Sequence, residues 1–120
     1  MEIVDVLKAL ADETRVRILN LLHREPLCVC DLETVLRISQ SNASRHVTKL
    51  KTAKLLIGEK QAQWVYYRVD EKTLEQYSFL KELLAREISN HPKCRMDVER
   101  LKKYRDSGGN CEHMVKITDD

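Results

Sequence analysis

Four cysteines are the residues of this 120-residue chain whose type and spacing most directly suggest chemistry. The residues at positions 1–5 lack the basic start and apolar stretch of a signal peptide, and no apolar run approaches the ~18 residues of a membrane span. We therefore expect a cytoplasmic protein with no membrane partner. In a reducing compartment, cysteines indicate metal ligands or redox thiols more than a disulfide framework. The candidates are Cys28, Cys30, Cys94 and Cys111.

A second chemical set lies on one segment, from about Gln40 to Lys54, that is predicted to be a helix. Ala43, Val47 and Leu50 form its apolar stripe at i, i+4 and i+7. The residue types of the opposite face suit DNA, because arginine pairs with guanine, asparagine pairs with adenine, and hydroxyls and lysine bind phosphates. We predict DNA contacts from Gln40, Ser41, Asn42, Ser44, Arg45, His46, Thr48 and Lys49, with His46 facing outward beside Arg45.

The positive charge of the chain is concentrated around this helix. The net charge is only +2, but residues 40–69 carry six basic side chains against a single acidic one, Glu59. Such a segment is typical of a phosphate-binding surface, and an ordinary solvated helix face is the alternative. Residues 55–69 within it are rich in β-branched and aromatic types and predict a β-hairpin. Its turn offers Lys60, Gln61 and Gln63 to the DNA backbone or minor groove.

The scaffold predicted for these residues is mainly α-helical. Helical spacing indicates a first helix near residues 3–10 and a second one capped by Asp12, with Pro26 ending it. A short third helix and the helix capped by Ser39 are separated only by residues 37–39, which is the spacing of a helix-turn-helix, although the turn lacks glycine. Two further helices are expected, near residues 70–89 and 93–105. Helices, a helix-turn-helix and then a hairpin make a winged helix-turn-helix.

Length and composition bound the function. A chain of 120 residues, 42% hydrophobic and 33% charged, is expected to form one compact domain. We assign residues 1–106 to a domain for DNA binding and dimerisation, and residues 107–120 to a flexible C-terminal tail that begins at a flexible joint, 107–110. A small thiol enzyme is the least favoured function, because no nucleophile–base pair or phosphate-binding glycine loop is visible. No organic substrate is expected.

Four stretches of the chain resemble the ArsR/SmtB family of winged-helix repressors. They are LADETRVRIL at 10–19, LCVCDL at 27–32, SQSNASRHVTKL at 39–50 and WVYYRV at 64–69. The resemblance spans about residues 3–90 and implies a homodimer joined through its first and fifth helices. It further implies that the metal-free dimer binds a palindromic operator and leaves it when an inducer binds. A dimer also suits the predicted recognition helix, since two copies match a two-fold symmetric DNA site.

The pentapeptide at 28–32, Cys-Val-Cys-Asp-Leu, is similar to the inducer site of the arsenic-responsive branch, at the start of the third helix. Soft thiolates select soft ions, so As(III) or Sb(III) is the expected inducer, with Cd(II), Pb(II) or Zn(II) as alternatives. Residues i and i+2 lie about 200° apart on a helix, so we expect both sulfurs to reach one ion only if that turn unwinds and displaces the recognition helix. A thiol-redox sensor and a pair of buried apolar thiols remain alternatives.

A third sulfur ligand is not available where some members of that family have it, because this chain has Glu33 there. Cys94 and Cys111 are the remaining candidates, and each has the alternative of being an ordinary thiol. The sequence leaves open which of them completes the site and whether the ligands come from one protomer or two. It also leaves open the operator and the regulated genes.

Overall fold

The computed structural model describes residues 3–111, most of which are helical. Helix α1 spans Ile3–Leu10 and α2 spans Glu13–Arg24. Asp12 is the N-cap of α2, as predicted, and its carboxylate accepts a hydrogen bond from the backbone N–H of Arg15 at 3.1 Å. Within the described range, no helix combines the length and the apolar character needed to cross a lipid bilayer.

The predicted helix-turn-helix is confirmed. Helix α3 spans Val29–Leu36 and α4 spans Gln40–Thr52. The turn between them needs a residue in the left-handed region, and Arg37 supplies it with φ 57° and ψ 48°. Ser39 then caps α4 by accepting a hydrogen bond from the backbone N–H of Asn42 at 3.1 Å. A three-residue connection therefore sets the direction of α4 relative to α3.

Strands β1 (Leu56–Gln61) and β2 (Trp64–Val69) form the predicted hairpin, which we call the wing. The pairing is antiparallel. A short third segment joins it, because Leu27 donates a backbone hydrogen bond to Tyr67 at 3.1 Å and accepts one from it at 2.8 Å. Since Leu27 directly precedes Cys28, the first cysteine of the pair is tied through the backbone to the wing.

The structure differs from the prediction between residues 70 and 89. Helix α5 spans Glu71–Gln76, α6 spans Ser78–Leu83, and a π-helical turn follows at Leu84–Ile88, where one continuous helix was expected. The break is at Tyr77, whose φ of −118° and ψ of 81° are not helical. Apolar positions keep their helical spacing on both sides of Tyr77, so periodicity does not reveal the break.

Helix α7, Pro92–Asp106, packs on α2 and α3 and closes the apolar core. Arg17 of α2 forms a bidentate ion pair with Asp97, whose side chain is fully buried, with both N···O distances at 2.8 Å. Tyr104 is also fully buried, near the C-terminal end of α7. The last described helix therefore covers α3, the helix that begins at the cysteine pair.

Candidate functional site

The polar face of α4 is open to solvent, as the sequence predicts. Its opposite face is buried at Ala43, Val47 and Leu50. Arg45 Nη2 donates to Asn42 Oδ1 at 2.6 Å, so the two side chains best suited to read bases lie side by side. Of the predicted DNA contacts on this helix, Gln40, Ser41, Arg45, Thr48 and Lys49 are exposed, and Asn42 and Ser44 are half-buried.

His46 is the exception on α4, and the expectation that it faces outward is wrong. It is only 5% exposed, and its Nδ1 lies 3.2 Å from Arg15 Nη1 and 3.9 Å from Asp12 Oδ1. Burial lowers the pKa of His46, although the charge of Asp12 opposes this shift. Positions 43, 46, 47 and 50 together follow the i, i+3, i+4, i+7 pattern, which is the sequence signal for the buried side of the helix. His46 therefore anchors α4 to the start of α2.

The wing presents the other three predicted DNA contacts. Lys60 and Gln61 end β1, Gln63 lies in the turn, and all three are exposed. Ala62 supplies the left-handed turn residue, with φ 56°. Because only three residues separate α4 from β1, the wing and the polar face of α4 belong to one region of the chain.

The cysteine pair lies where the chain enters α3. Cys28 is the N-cap, with an extended backbone at φ −93° and ψ 171°, and Cys30 lies in the first turn. Their Sγ atoms are 2.7 Å apart. The expectation that the turn must unwind before both sulfurs can meet one ion is therefore wrong. The rotation of 100° per residue applies within a helix, and Cys28 precedes it.

The C-terminal end of α7 is a hydrogen-bonded turn where the sequence predicts a flexible joint. The N–H of Gly109 donates to the carbonyl of Tyr104 at 2.7 Å, and the N–H of Gly108 to that of Arg105 at 2.9 Å. These are the two bonds of a Schellman motif, with Gly108 in the left-handed region at φ 82°. A Cβ atom at position 109 would lie 2.7 Å from the Tyr104 carbonyl oxygen, so only glycine fits there. Residues 112–120 of the predicted tail lie outside the described residues.

This turn brings the third sulfur to the pair. Cys111 follows Gly109 by two residues, and its Sγ contacts those of Cys28 and Cys30. The Cα atom of Cys111 lies 6.9 Å from that of Cys28 and 5.7 Å from that of Cys30. Of the two distal candidates, Cys111 is therefore the one that the fold brings to the N-terminus of α3.

Asp31, which is not among the residues predicted for the site, lies in the same cluster. One oxygen of Asp31 and the three sulfurs all lie within 4.8 Å of one another. The fully buried Asp31 accepts at Oδ2 from the backbone N–H of Cys28 at 3.1 Å and from its Sγ at 3.2 Å. Tyr104 donates its hydroxyl to Oδ1 at 2.8 Å. The signal for Asp31 was its capping-box position, three residues after the N-cap.

Tyr104 keeps its proton in this environment. Burial raises the pKa of Tyr104, and the hydrogen bond to Asp31 raises it further. The hydroxyl therefore stays a donor to Asp31 across the neutral pH range. Arg105 adds a positive charge to the cluster, with its Nη2 at 3.8 Å from Asp31 Oδ2.

Cys94 lies apart from this cluster. It is fully buried on α7, and its carbonyl accepts a hydrogen bond from Asn20 Nδ2 at 3.2 Å. Burial, with a further contribution from the charge of Asp97, raises the pKa of Cys94 to about 11. A buried, protonated thiol is a poor ligand and a poor nucleophile. A role for Cys94 in the same metal site would require it to lie beside the other three cysteines. The structure does not place it there.

Comparisons of the sequence with known proteins connect these features to a family. Residues 12–57, from the N-cap of α2 into β1, match the family described as bacterial regulatory protein, arsR family. The chain is 48% identical over 65 residues to the arsenic resistance transcriptional regulator ArsR1 of Pseudomonas putida, which covers 53% of this chain and 51% of that protein. It is 42% identical over 81 residues to ArsR2 of the same organism, which covers 67% and 68%.

A third relative carries a different metal in its name. The cadmium resistance transcriptional regulatory protein CadC homolog of Staphylococcus aureus is 35% identical over 91 residues, which cover 75% of each chain. The matched length therefore ranges from about half of ArsR1 to three quarters of the CadC homolog.

Solved structures support the same assignment. HlyU from Vibrio cholerae superposes with a TM-score of 0.57 at 34% identity, covering 67% of this chain and 88% of that one. The homodimeric winged helix-turn-helix DNA-binding domain of Mb0332 from Mycobacterium bovis gives a TM-score of 0.61, covering 75% and 84%. At 24% identity, the second match shows the fold alone.

These matches confirm both the winged helix-turn-helix fold and the family resemblance that four sequence stretches predict. The named relatives are regulators and not enzymes, in agreement with the prediction that a thiol enzyme is the least favoured function. With the helix-turn-helix, the wing and the cysteine motif in place, the chain belongs to the arsR family of bacterial regulatory proteins.

Proposed function

We propose that this protein is a transcriptional repressor that binds a palindromic operator as a homodimer and releases it when As(III) or Sb(III) binds thiolates of Cys28, Cys30 and Cys111. The observation that carries the proposal is the convergence of three sulfurs where the chain enters α3. This helix leads through a three-residue turn into α4. The arsenic resistance regulators among the relatives support the same inducer class.

The polar face of α4 supports DNA binding. Arg45 and Asn42 carry the donor and acceptor sets that match guanine and adenine edges, so we assign base contacts to them. The net positive charge of residues 40–69 favours phosphate. We assign backbone or further base contacts to Gln40, Ser41, Ser44, Thr48, Lys49, Lys60, Gln61 and Gln63.

Exposed apolar side chains support a homodimer. Ile3, Val4 and Leu7 of α1 are 39%, 50% and 48% exposed, and Phe79 of α6 is 41% exposed. Contact with a second copy would remove this apolar surface from water. Two copies would present two α4 helices to the two halves of a palindrome.

The donor set fits a soft ion bound by three thiolates. A disulfide uses only two sulfurs, whereas one three-coordinate ion uses all three that converge here. As(III) and Sb(III) also suit the charge, because three thiolates neutralise a trivalent ion. Cd(II), Pb(II) and Zn(II) remain alternatives, and the cadmium resistance regulator among the relatives supports Cd(II). In this assignment all three ligands come from one protomer.

Two connections lead from the thiol site to the proposed DNA contacts. Leu27, which precedes Cys28, is bonded through its backbone to Tyr67 of the wing. Cys30 belongs to α3, which continues through residues 37–39 into α4. A shift of either cysteine when the thiols bind an ion is therefore transmitted to the wing and to α4. We expect the altered angle between them to lower the affinity for DNA.

The test is a titration of DNA release by the fully reduced protein. A tight-binding DNA site is first selected from a random duplex library with the metal-free protein, and the complex is then titrated with As(III), Sb(III), Cd(II), Pb(II) and Zn(II). We expect As(III) or Sb(III) to release the DNA at one ion per protomer, and Cys111→Ser to weaken this response while Cys94→Ser leaves it unchanged. Release by divalent ions alone would transfer the assignment to the alternative inducers. Absence of release by every ion would overturn the proposed function.

A thiol-redox sensor is the second candidate, because the same three sulfurs are in contact. Two thiols and one hydrogen peroxide would give one disulfide and two waters, with the two thiol protons leaving in the water. A parallel titration with hydrogen peroxide separates the two functions. If peroxide releases DNA at lower concentrations than arsenite releases it from the reduced protein, the redox function replaces the metalloid function.

A further inference from the structure

We propose that Tyr104 is the positioning residue of the thiol site. It aligns two sulfur ligands that are far apart in the sequence, Cys28 and Cys111. The inference rests on the proposed function, since it concerns how the three thiols are held for an ion. Tyr104 acts through two separate parts of the residue. Its side-chain hydroxyl holds Cys28 through Asp31, and its backbone carbonyl and ring hold the turn that carries Cys111.

The side-chain connection runs through Asp31. The Tyr104 hydroxyl donates to Asp31 Oδ1 at 2.8 Å, and Oδ2 of the same carboxylate accepts from the N–H and the Sγ of Cys28. All three residues are at most 2% exposed, so water does not compete with these bonds. Before an ion binds, Cys28 is thus held at two atoms by a carboxylate that is itself held by Tyr104. The bond from its backbone N–H remains when the thiol gives up its proton to bind the ion.

The backbone connection runs through Gly109. Its N–H donates to the Tyr104 carbonyl at 2.7 Å, and a Cβ at this position would overlap the Tyr104 ring and carbonyl. Arg105 Nη1 holds the next carbonyl, that of Gly109, at 2.9 Å. The turn therefore closes directly against Tyr104, and Cys111 follows two residues later.

Because the ligands are far apart in the sequence, their positions relative to one another depend on residues that align them. Cys28 and Cys111 are 83 residues apart, so their convergence depends on the docking of α7 against α3. Residues that orient metal ligands from outside the coordination shell typically contribute tenfold to 100-fold to ion affinity. In these bonds Tyr104 reaches the ligands through Asp31 and Gly109 and does not bond a sulfur itself.

The main variant is Tyr104→Phe, which keeps the ring and the backbone turn but removes the bond to Asp31. In reduced, metal-free protein we expect faster hydrogen exchange at the Cys28 amide. With As(III), we expect about tenfold or greater weakening of binding, with fewer than three sulfurs around the arsenic by X-ray absorption. Affinity for operator DNA should stay unchanged. Tyr77→Phe, at the break between α5 and α6, is the matched loss of a hydroxyl and should change none of these readings.

A double-mutant cycle tests whether Tyr104 acts through Asp31. If it does, Tyr104→Phe combined with Asp31→Asn should weaken As(III) binding less than the product of the two single effects. Multiplicative effects would overturn the connection through Asp31. If Tyr104→Phe fails to fold, Gly109→Ala tests the other connection, and we expect it to reduce the arsenic–sulfur number from three to two.

The inference and the proposed function fail in different ways. If Tyr104→Phe binds As(III) within twofold of the parent protein and with three sulfurs, Tyr104 only fills the core and the inference is overturned. If Gly109→Ala retains three sulfurs, the connection to Cys111 is overturned. If Cys28→Ser, Cys30→Ser and Cys111→Ser all bind As(III) as tightly as the parent protein, the proposed function itself fails, whatever Tyr104 does.

Discussion

The polar face of α4 and the thiol site at α3 are built in different ways. The residues of the α4 face follow one another on a single helix, between positions 40 and 49, and most of them are exposed. The thiol site joins positions 28, 30 and 111, and its carboxylate and tyrosine are fully buried. Helix geometry alone orients the first set, whereas tertiary contacts assemble the second. We therefore expect changes on α4 to act singly and changes at the thiol site to affect the whole site.

The largest expected effect separates the two regions completely. Changing Cys28→Ser together with Cys30→Ser removes two of three sulfur ligands, so we expect As(III) to lose its ability to release DNA, with operator affinity preserved. Fluorescence anisotropy of labelled operator, with and without As(III), measures both properties. Cys94→Ser is the matched control, because burial raises the pKa of Cys94 to about 11 and its thiol lies outside the cluster. Continued release by As(III) from the double variant would place the sensor elsewhere.

A second change should affect DNA binding and spare the thiol site. Arg45→Ala removes a side chain that can bond two acceptors of a guanine, so we expect operator binding to weaken by about 1–3 kcal/mol. The As(III) affinity of the free protein should not change. Lys102→Ala, an exposed cation on α7, is the control for loss of charge alone. Equal effects of the two variants on DNA binding would contradict base contact by Arg45.

A third change tests whether the α4 face depends on local structure. Ser39 accepts the N-cap hydrogen bond of α4, so Ser39→Ala should lower the free energy of unfolding by about 1 kcal/mol. Urea denaturation followed by circular dichroism measures this loss. Ser39→Asp keeps a capping oxygen and should retain most of the stability. A loss of As(III) binding in Ser39→Ala would show that the two regions are not separable.

The smallest expected effect is the pH dependence of stability that arises from His46, the buried histidine of α4. Burial lowers the pKa of His46 below its ordinary value of 6.5, with Arg15, Arg45 and Lys49 lowering it further and Asp12 opposing them. The unfolded chain therefore binds a proton first as the pH falls. The free energy of unfolding should decrease below about pH 6.5 until the pH passes the folded-state pKa.

Urea denaturation across pH 7.5 to 5 checks this dependence on the parent protein, His46→Gln and the surface control His23→Gln. We expect the decrease in the free energy of unfolding to be smaller in His46→Gln than in the parent protein, and to be the same in His23→Gln as in the parent protein. An unchanged slope in His46→Gln would mean that His46 does not contribute to acid sensitivity.

Features that depend on near neighbours in the chain were predictable. Asp12 and Ser39 cap their helices because an oxygen side chain at an N-cap reaches an amide only three residues away. The hairpin followed from residue types alone, and the Cys28–Cys30 pair from its motif. The burial of His46 was predictable too, because this residue completes the apolar stripe of α4. Its polar ring instead led to the prediction that it faces solvent, which is wrong.

The amino-acid sequence by itself determined the helix-turn-helix, the wing, the polar face of α4 and the location of the cysteine pair, because these depend on contacts within a few residues. Only the tertiary structure decided that Cys111 and not Cys94 meets the pair, and that Tyr104 donates a hydrogen bond to Asp31. Those outcomes depend on how α7 packs on α2 and α3. Local periodicity does not specify that packing, because it arises from buried side chains that are distant in the chain.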